Sequence, residues 1–462
     1  TGGELMAEHH YDLVVLGGGS GGYAAAIRAV ELGKRVALIE GDKVGGTCLH
    51  RGCVPTKAML HAAEVADVVR HAESVGVNAG LDGFDPVRMR DFREGIVAKK
   101  FTGLQSLLAT RGISTVAGFG RLEADRRVIV GDDTYIGENV ILATGARTRL
   151  LPGIEVGGRI LTSDEALALD EIPQRVIILG GGVIGSEFAS MWRSLGAAIT
   201  IVEGLDHLVP AEDISLSKAL ERAFRKRGIA YSLGKRFQSA TQSEDGVLVT
   251  LEDGKTLEGD ILLVAVGRAP VTDGMGFEEA GVELERGFVR VDERLRTTAA
   301  GVWAVGDIVP GLQLAHRGFQ QGIFVAEEIA GLNPIVVPDR SVPRITYSDP
   351  ELASVGLTQA QAEEQYGADA LATAEFNLAG NARSEILGTA GFAKVIRVKD
   401  GTIVGVHLAG ARVGELITEG QLAVVWEAHP EDIAPYIHAH PTQSEALGEA
   451  FLALAGRPLH SL

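Results

Sequence analysis

The chain has only two cysteines in 462 residues, too few for the disulfide framework of a small extracellular scaffold. It has no run of eighteen uninterrupted apolar residues, so no transmembrane helix is expected. Positive charge is scarce, with 43 Lys and Arg against 61 Asp and Glu and a formal net charge of −18. Phosphate backbones are held by clustered cations, so nucleic acid is not an expected partner and an anionic membrane surface is disfavoured. The opening TGGELMAEHHYDLVV lacks a basic stretch followed by an apolar one, so no secretory signal is expected. Met6 is read as the natural start, Thr1–Leu5 as a cloning remnant, and the cytoplasm as the default compartment.

Glycine is abundant, at 60 residues in a chain that is 46% apolar and 23% charged. That composition is globular, and so much glycine points to many tight strand–helix turns. The length suggests two to four domains.

One plan occurs twice. In YDLVVLGGGSGGYAAAIRAVELGKRVALIE, Asp12–Leu16 reads as a buried strand, Gly17–Gly22 as a tight turn, Tyr23–Leu32 as a helix and Arg35–Glu40 as a second strand. RVIILGGGVIGSEFASMWRSLGAAITIVE repeats it from residue 175. The G-x-G-x-x-G glycines are Gly17, Gly19 and Gly22 in the first copy and Gly180, Gly182 and Gly185 in the second; an acid follows the first glycine by 23 residues each time, at Glu40 and Glu203. One glycine allows the turn, one admits a pyrophosphate, one lets helix and strand pack closely, and the acid accepts from ribose hydroxyls. The chain is therefore expected to bind two dinucleotides and to pass a hydride or electron pair between them. After Glu203 no Lys or Arg occurs until Lys218, so the second site should prefer NAD to NADP unless a distant Arg folds in.

Met59, Ala62, Ala63, Ala66 and Val69 recur at helical spacing and read as core packing. VILATGAR and LLVAVGRAP each carry an apolar strand into glycine, marking candidate crossings between nucleotide domains, and GVWAVGDIV is a further buried strand ending at Gly306–Asp307. Beyond about residue 342 a hairpin around Asp400–Gly401 and helices near 414–428 and 444–456 are expected. The fold class is thus α/β: two Rossmann-like dinucleotide-binding domains and a C-terminal α+β domain.

Cys48 and Cys53 lie in GGTCLHRGCVPTKAML. Inert thiols, half of a zinc site and a redox pair are all open readings; only His50 and His61 lie near enough in sequence to complete a metal set. In a regular helix residues five apart rise about 7.5 Å, beyond the usual Cα separation of a disulfide. A bridge therefore needs broken helical backbone, for which Gly52 and Pro55 are suited. A helix start would also lower a thiol pKa. Two dinucleotide sites in the same chain favour the redox pair.

At these residues the chain resembles the pyridine nucleotide–disulfide oxidoreductases, and within them the branch that oxidises dihydrolipoamide. GGTCLHRGCVPTK is similar to the family's redox motif, ATG at 143–145 and VGR at 266–268 to its crossings, and AVGD at 304–307 to its FAD signature. YSDPELASVGLT at 347–358 resembles the start of its interface domain, and HAHPTQSEALGEA at 438–450 its C-terminal catalytic segment. The resemblance implies FAD on the first glycine loop with Glu40, Thr144, Gly145 and Asp307, and NAD on the second with Glu203 and Gly267. It implies that Cys48 exchanges with substrate, that Cys53 faces the flavin, and that Lys57 and Glu187 pair beside the ring. His440, rather than His438, would be the base, oriented by Glu445 and supplied across a homodimer. The implied domains are 1–149 for FAD, 150–268 for NAD, 269–341 returning to the FAD region, and 342–462 for the interface.

Lipoyl groups of 2-oxo acid dehydrogenase complexes or of the glycine-cleavage system are the implied partners. His50–Arg51 stand where Asn-Val is commoner, Thr56 where Ser is frequent and Val271 where Asn is usual; the first pair is a candidate for tuning the disulfide's potential. The alternatives are a glutathione-type or mercuric reductase of the same family, or a non-catalytic redox-sensing flavoprotein. Glu203 without a nearby Arg argues against the glutathione type, the absence of a third cysteine against a mercuric reductase, and a positioned base against a sensor.

Overall fold

A computed structural model describes residues 7–460. The proposed start at Met6 and the residues before it lie outside that range. The chain divides into two compact units: the first comprises the segment up to Met59, Val87–Arg149 and Arg268–Val337, and the second Leu60–Pro86, Leu150–Gly267 and the segment from Pro338.

The first unit is built on a seven-stranded sheet. Glu8–Leu16 lies between Val36–Glu40 and Asp133–Leu142, parallel to both; Ser114–Ala117 and Val302–Ala304 add further parallel strands. Arg127–Val130 and Gly120–Glu123 extend the sheet antiparallel. Parallel strands are covered on both faces, so their sequences are apolar throughout rather than alternating; Leu13, Val14 and Val15 are all fully buried. Helices Ser20–Glu31 and Ala315–Ile329 approach closely, because a Cβ at Gly322 would run into the Gly21 carbonyl.

The second unit holds a five-stranded parallel sheet in the order Ala230–Ser232, Ala198–Val202, Arg175–Leu179, Ile261–Val264, Ile160–Leu161. A three-stranded antiparallel sheet, Phe237–Gln242, Val247–Leu251 and Thr256–Gly259, belongs to the same unit. So does a five-stranded antiparallel sheet, whose central hairpin Phe392–Val398/Ile403–Gly410 turns through Asp400 at φ +55°. Helices Val413–Val425 and Glu445–Leu454 pack against it through Ile417, Ala423, Leu447 and Phe451.

A buried polar row crosses this antiparallel sheet. Arg344, Ser354, His407 and Lys394 are direct cross-strand neighbours. They meet Glu212 and Asp213, the latter capping helix Ile214–Lys226: Lys394 Nζ lies 2.9 Å from Asp213 Oδ1, and Arg344 Nε 3.2 Å from Glu212 Oε1. Burial pushes Asp213 up, but His407, the Gln359 N–H, Ser215 and Lys394 overcome it and leave the carboxyl well below its usual range. Among the described residues, no helix is long and apolar enough to cross a membrane.

Candidate active site

The first helix starts at Ser20, not at Tyr23, with Gly19 as its N-cap; the second starts at Val183 with Gly182 as N-cap. The sequence reading places the first start late because Ser-Gly-Gly is a poor helix former. Close approach outweighs that penalty: a Cβ at Gly22 would collide with the Gly17 carbonyl, and one at Gly185 with that of Gly180. Gly17 and Gly180 share left-handed φ values of +107° and +110°.

Two observations fit each loop to a dinucleotide. No side chain caps either helix, so no capping oxygen competes for the first-turn N–H groups, which attract anions. At Gly182 an added Cβ would meet nothing within 4 Å, and at Gly19 only Gly46 Cα at 3.9 Å, so the backbone is open to a pyrophosphate. The two acids are held alike. Glu40 accepts from the N–H groups of Gly18 (2.6 Å) and Asp42 (2.8 Å), and Glu203 from those of Gly181 (2.7 Å) and Leu205 (2.8 Å). A carboxylate retains further lone pairs for ribose hydroxyls.

The two crossings pair as an antiparallel ribbon, Ala146–Thr148 with Arg268–Pro270. Thr144 donates its hydroxyl to the Val271 carbonyl at 2.6 Å, and Gly145 (φ +75°) accepts from the Val271 N–H. Gly267, at φ +107°, closes the second of these strand ends. Asp307 lies in a short turn after Val302–Ala304; burial pushes its carboxyl up against the opposing charges of Arg268 and Arg317.

The cysteines satisfy the condition of broken helical backbone. Cys48 sits in a five-residue helix, Gly46–His50; the chain breaks at Arg51, and Cys53 opens the helix Cys53–His71. The two thiols are not joined as a disulfide and hydrogen-bond each other. The Cys48 thiol is pushed up by that bond, by burial and by the charge of Cys53, with Lys57 acting the other way. The lowering expected of a helix start therefore does not apply at Cys48, whose own helix is a single turn. Gly45 N–H donates to the Gly18 carbonyl at 2.8 Å and Gly46 packs against Gly19, so the cysteine loop grows directly from the first glycine loop. Tyr23 of that helix is pushed up to about 12 by burial and by Cys48.

His50 and Arg51, the candidates for tuning the pair, bond elsewhere. His50 Nε2 lies 2.9 Å from the Val44 carbonyl with its ring edge-on to Phe101, and Arg51 pairs with Asp42 at 2.6 Å. Glu187 is buried, with Oε1 accepting from the Tyr347 N–H at 3.0 Å.

Near the C-terminus the structure separates two histidines. His438 is half-buried, its Nε2 lies 2.6 Å from Glu419 Oε1, and its ring fills the space left by Gly448. His440 is 73% exposed, with Nδ1 2.8 Å from Glu445 Oε1. Glu445 opens helix Glu445–Leu454 and also accepts from the Thr442 N–H at 2.8 Å. Burial raises its carboxyl, but that N–H, the bond to His440 and the two histidine charges bring it below the usual range. Carboxylate on Nδ1 and an open Nε2 is the arrangement that orients an imidazole as a base.

Sequence reasoning missed the residues that long-range folding brings to the second acid. Lys235 N–H donates to the Glu203 carbonyl at 3.0 Å, and Arg236 follows it. Only strand order could have signalled this, because Ala230–Ser232 pairs with Ala198–Val202 across an intervening helix.

Known proteins match this chain over nearly its whole length. Residues 11–322 match the family "Pyridine nucleotide-disulphide oxidoreductase", and residues 342–451 match its dimerisation domain. A dihydrolipoyl dehydrogenase of Bacillus subtilis is 40% identical, the match covering 97% of this chain and 99% of that protein. The crystal structure of LpdA from Mycobacterium tuberculosis superposes with a TM-score of 0.90 at 29% identity, covering 97% of this chain and 100% of that one. RclA from Escherichia coli, an HOCl-induced flavoprotein disulfide reductase, superposes with a TM-score of 0.85 at 29% identity, covering 96% and 99%. The chain belongs to the pyridine nucleotide-disulphide oxidoreductases, enzymes of FAD and NAD, and carries their dimerisation domain.

Proposed function

We propose that this enzyme oxidises dihydrolipoamide to lipoamide and reduces NAD. The observation that carries the reading is the cysteine loop built onto the first glycine loop, with Gly45 bonded to Gly18 and two mutually bonded thiols beyond it. The dihydrolipoyl dehydrogenase relative supports the choice of substrate.

In this reading, His440 takes a proton from one substrate thiol, and the thiolate attacks Cys48 of the oxidised Cys48–Cys53 pair. A substrate–Cys48 disulfide forms and Cys53 leaves as thiolate. The second substrate thiol attacks the substrate sulfur of that bond and expels Cys48, so lipoamide departs and the enzyme retains both electrons as a dithiol. Glu445 holds the His440 tautomer and stabilises the imidazolium. Lys57, whose charge favours the thiolate at Cys48, eases the departure of that sulfur in the second exchange. The first glycine loop, with Glu40, Thr144, Gly145 and Asp307, would hold FAD; the second, with Glu203 and Gly267, would hold NAD. FAD supplies the route by which the electron pair reaches NAD.

The dimerisation domain supports a homodimer in which His440 of one protomer serves Cys48 of its partner. The same reading places the enzyme in the cytoplasm, working on lipoyl groups of 2-oxo acid dehydrogenase complexes or of the glycine-cleavage system. Comparing dihydrolipoamide, glutathione and Hg(II), each with NAD(H) and NADP(H), tests it. Dihydrolipoamide with NAD should be the fastest pair; a preference for glutathione or Hg(II) would refute the assignment.

A further inference from the structure

The turn that carries His440 is held from a second element. Thr442 is its hub: its N–H donates to Glu445 Oε2 at 2.8 Å, and its hydroxyl donates to the Ala439 carbonyl at 2.6 Å. The Thr442 carbonyl accepts from Asn381 Nδ2 at 2.9 Å, across 61 residues of chain. Among the described residues, that is the only hydrogen bond from residues 377–391 to residues 438–445.

Asn381 is itself firmly fixed. It is 4% exposed, and Oδ1 accepts from the Ser384 N–H at 2.9 Å as the cap of helix Ala382–Ile386. Turning the amide over would set oxygen against the Thr442 carbonyl and NH2 against the Ser384 N–H, so the two bonds lock one orientation. The backbone is tied as well: Asn381 N–H donates to the carbonyl of Leu378, which is buried in the core beneath the antiparallel sheet.

His440 needs such an anchor, because its side chain is 73% exposed and packing does not hold it. Its orientation comes from Glu445, whose other oxygen is held by the Thr442 N–H. A loosened Thr442 would release that carboxylate and also Ala439, the residue before the histidine. A misplacement of about 1 Å in a reacting group costs about a hundredfold in rate.

We propose that Asn381 is a positioning residue for proton transfer, holding the Thr442 carbonyl so that Glu445 keeps His440 aligned. This rests on His440 being the base. Asn381→Ser and Asn381→Ala form the informative pair, because serine keeps a capping oxygen but is too short to reach Thr442, and alanine keeps neither. In both, dihydrolipoamide should reduce the FAD-loaded enzyme about tenfold more slowly in a single anaerobic turnover. NADH oxidation by ferricyanide, two ions per NADH, needs no base and should keep its wild-type rate. In a His440→Ala background neither change should slow reduction further, because the group being positioned is gone. A wild-type rate of reduction in Asn381→Ser, a matching loss of ferricyanide activity, or an equal loss on top of His440→Ala overturns the proposal. If His440→Ala alone is reduced as fast as wild type, the base assignment fails and the proposal with it.

Discussion

His440 Nδ1 lies 2.8 Å from Glu445 Oε1, while His438, two residues earlier, gives its Nε2 to Glu419 at 2.6 Å. One imidazole is oriented and open, the other consumed by packing. His440→Ala should therefore lower turnover with dihydrolipoamide by about 10²–10⁴-fold, the usual worth of a positioned base. Glu445→Gln should fall between that variant and wild type. Steady-state NADH formation, with flavin absorbance as the check on cofactor content, measures both.

His438→Ala is the control. Its ion pair with Glu419 raises the His438 pKa, so whatever stability it lends is present below the unfolded value and fades as pH rises through the folded one. Its loss should lower the thermal midpoint at pH 6 more than at pH 9. Turnover should fall far less than in His440→Ala; an equal loss would contradict the separation of the two roles.

The glycine loops can be tested separately. Gly22→Ala drives a methyl group into the Gly17 carbonyl and Gly185→Ala into that of Gly180. The first should yield protein with little flavin. The second should remain yellow but bind ADP-ribose at least tenfold more weakly, as seen by calorimetry.

The polar row predicts a pH signature of stability. Burial lowers the His407 pKa to about 4 against attraction from Asp213, while Lys394 and Arg344 lower it further. The unfolded chain binds this proton near pH 6.5 and the folded protein only near 4, so stability falls as pH drops through that window, by about 3 kcal/mol in all. Thermal midpoints of wild type and His407→Gln should converge on acidification from pH 7 to pH 4, because the variant lacks this part of the slope. Parallel curves would place the acid sensitivity elsewhere.

Much of this protein was legible in local pattern. The glycine loops, their closing acids, the apolar parallel strands and the hairpin at Asp400 follow from backbone sterics and burial acting within thirty residues or so. The helix start misplaced at Tyr23 is a local matter too: the packing of Gly22 on the Gly17 carbonyl, five residues earlier, overrides the single-residue propensities that the sequence reading weighed. Asp213 with Lys394 and Arg236 beside Gly204 had no local signal, because the chain returns to them only after intervening elements have folded. His50 and Arg51 look poised over the sulfurs in sequence, yet in space they turn to Val44 and Asp42.

The most direct test of the electron path is an anaerobic reaction of dihydrolipoamide and NAD with wild type and with Cys48→Ser, read at 340 nm for NADH and in the visible for bound flavin. Wild type should form NADH in proportion to enzyme, and the variant should stay yellow and form none. NADH formation by Cys48→Ser at the wild-type rate would contradict the assignment of substrate exchange to the Cys48 sulfur.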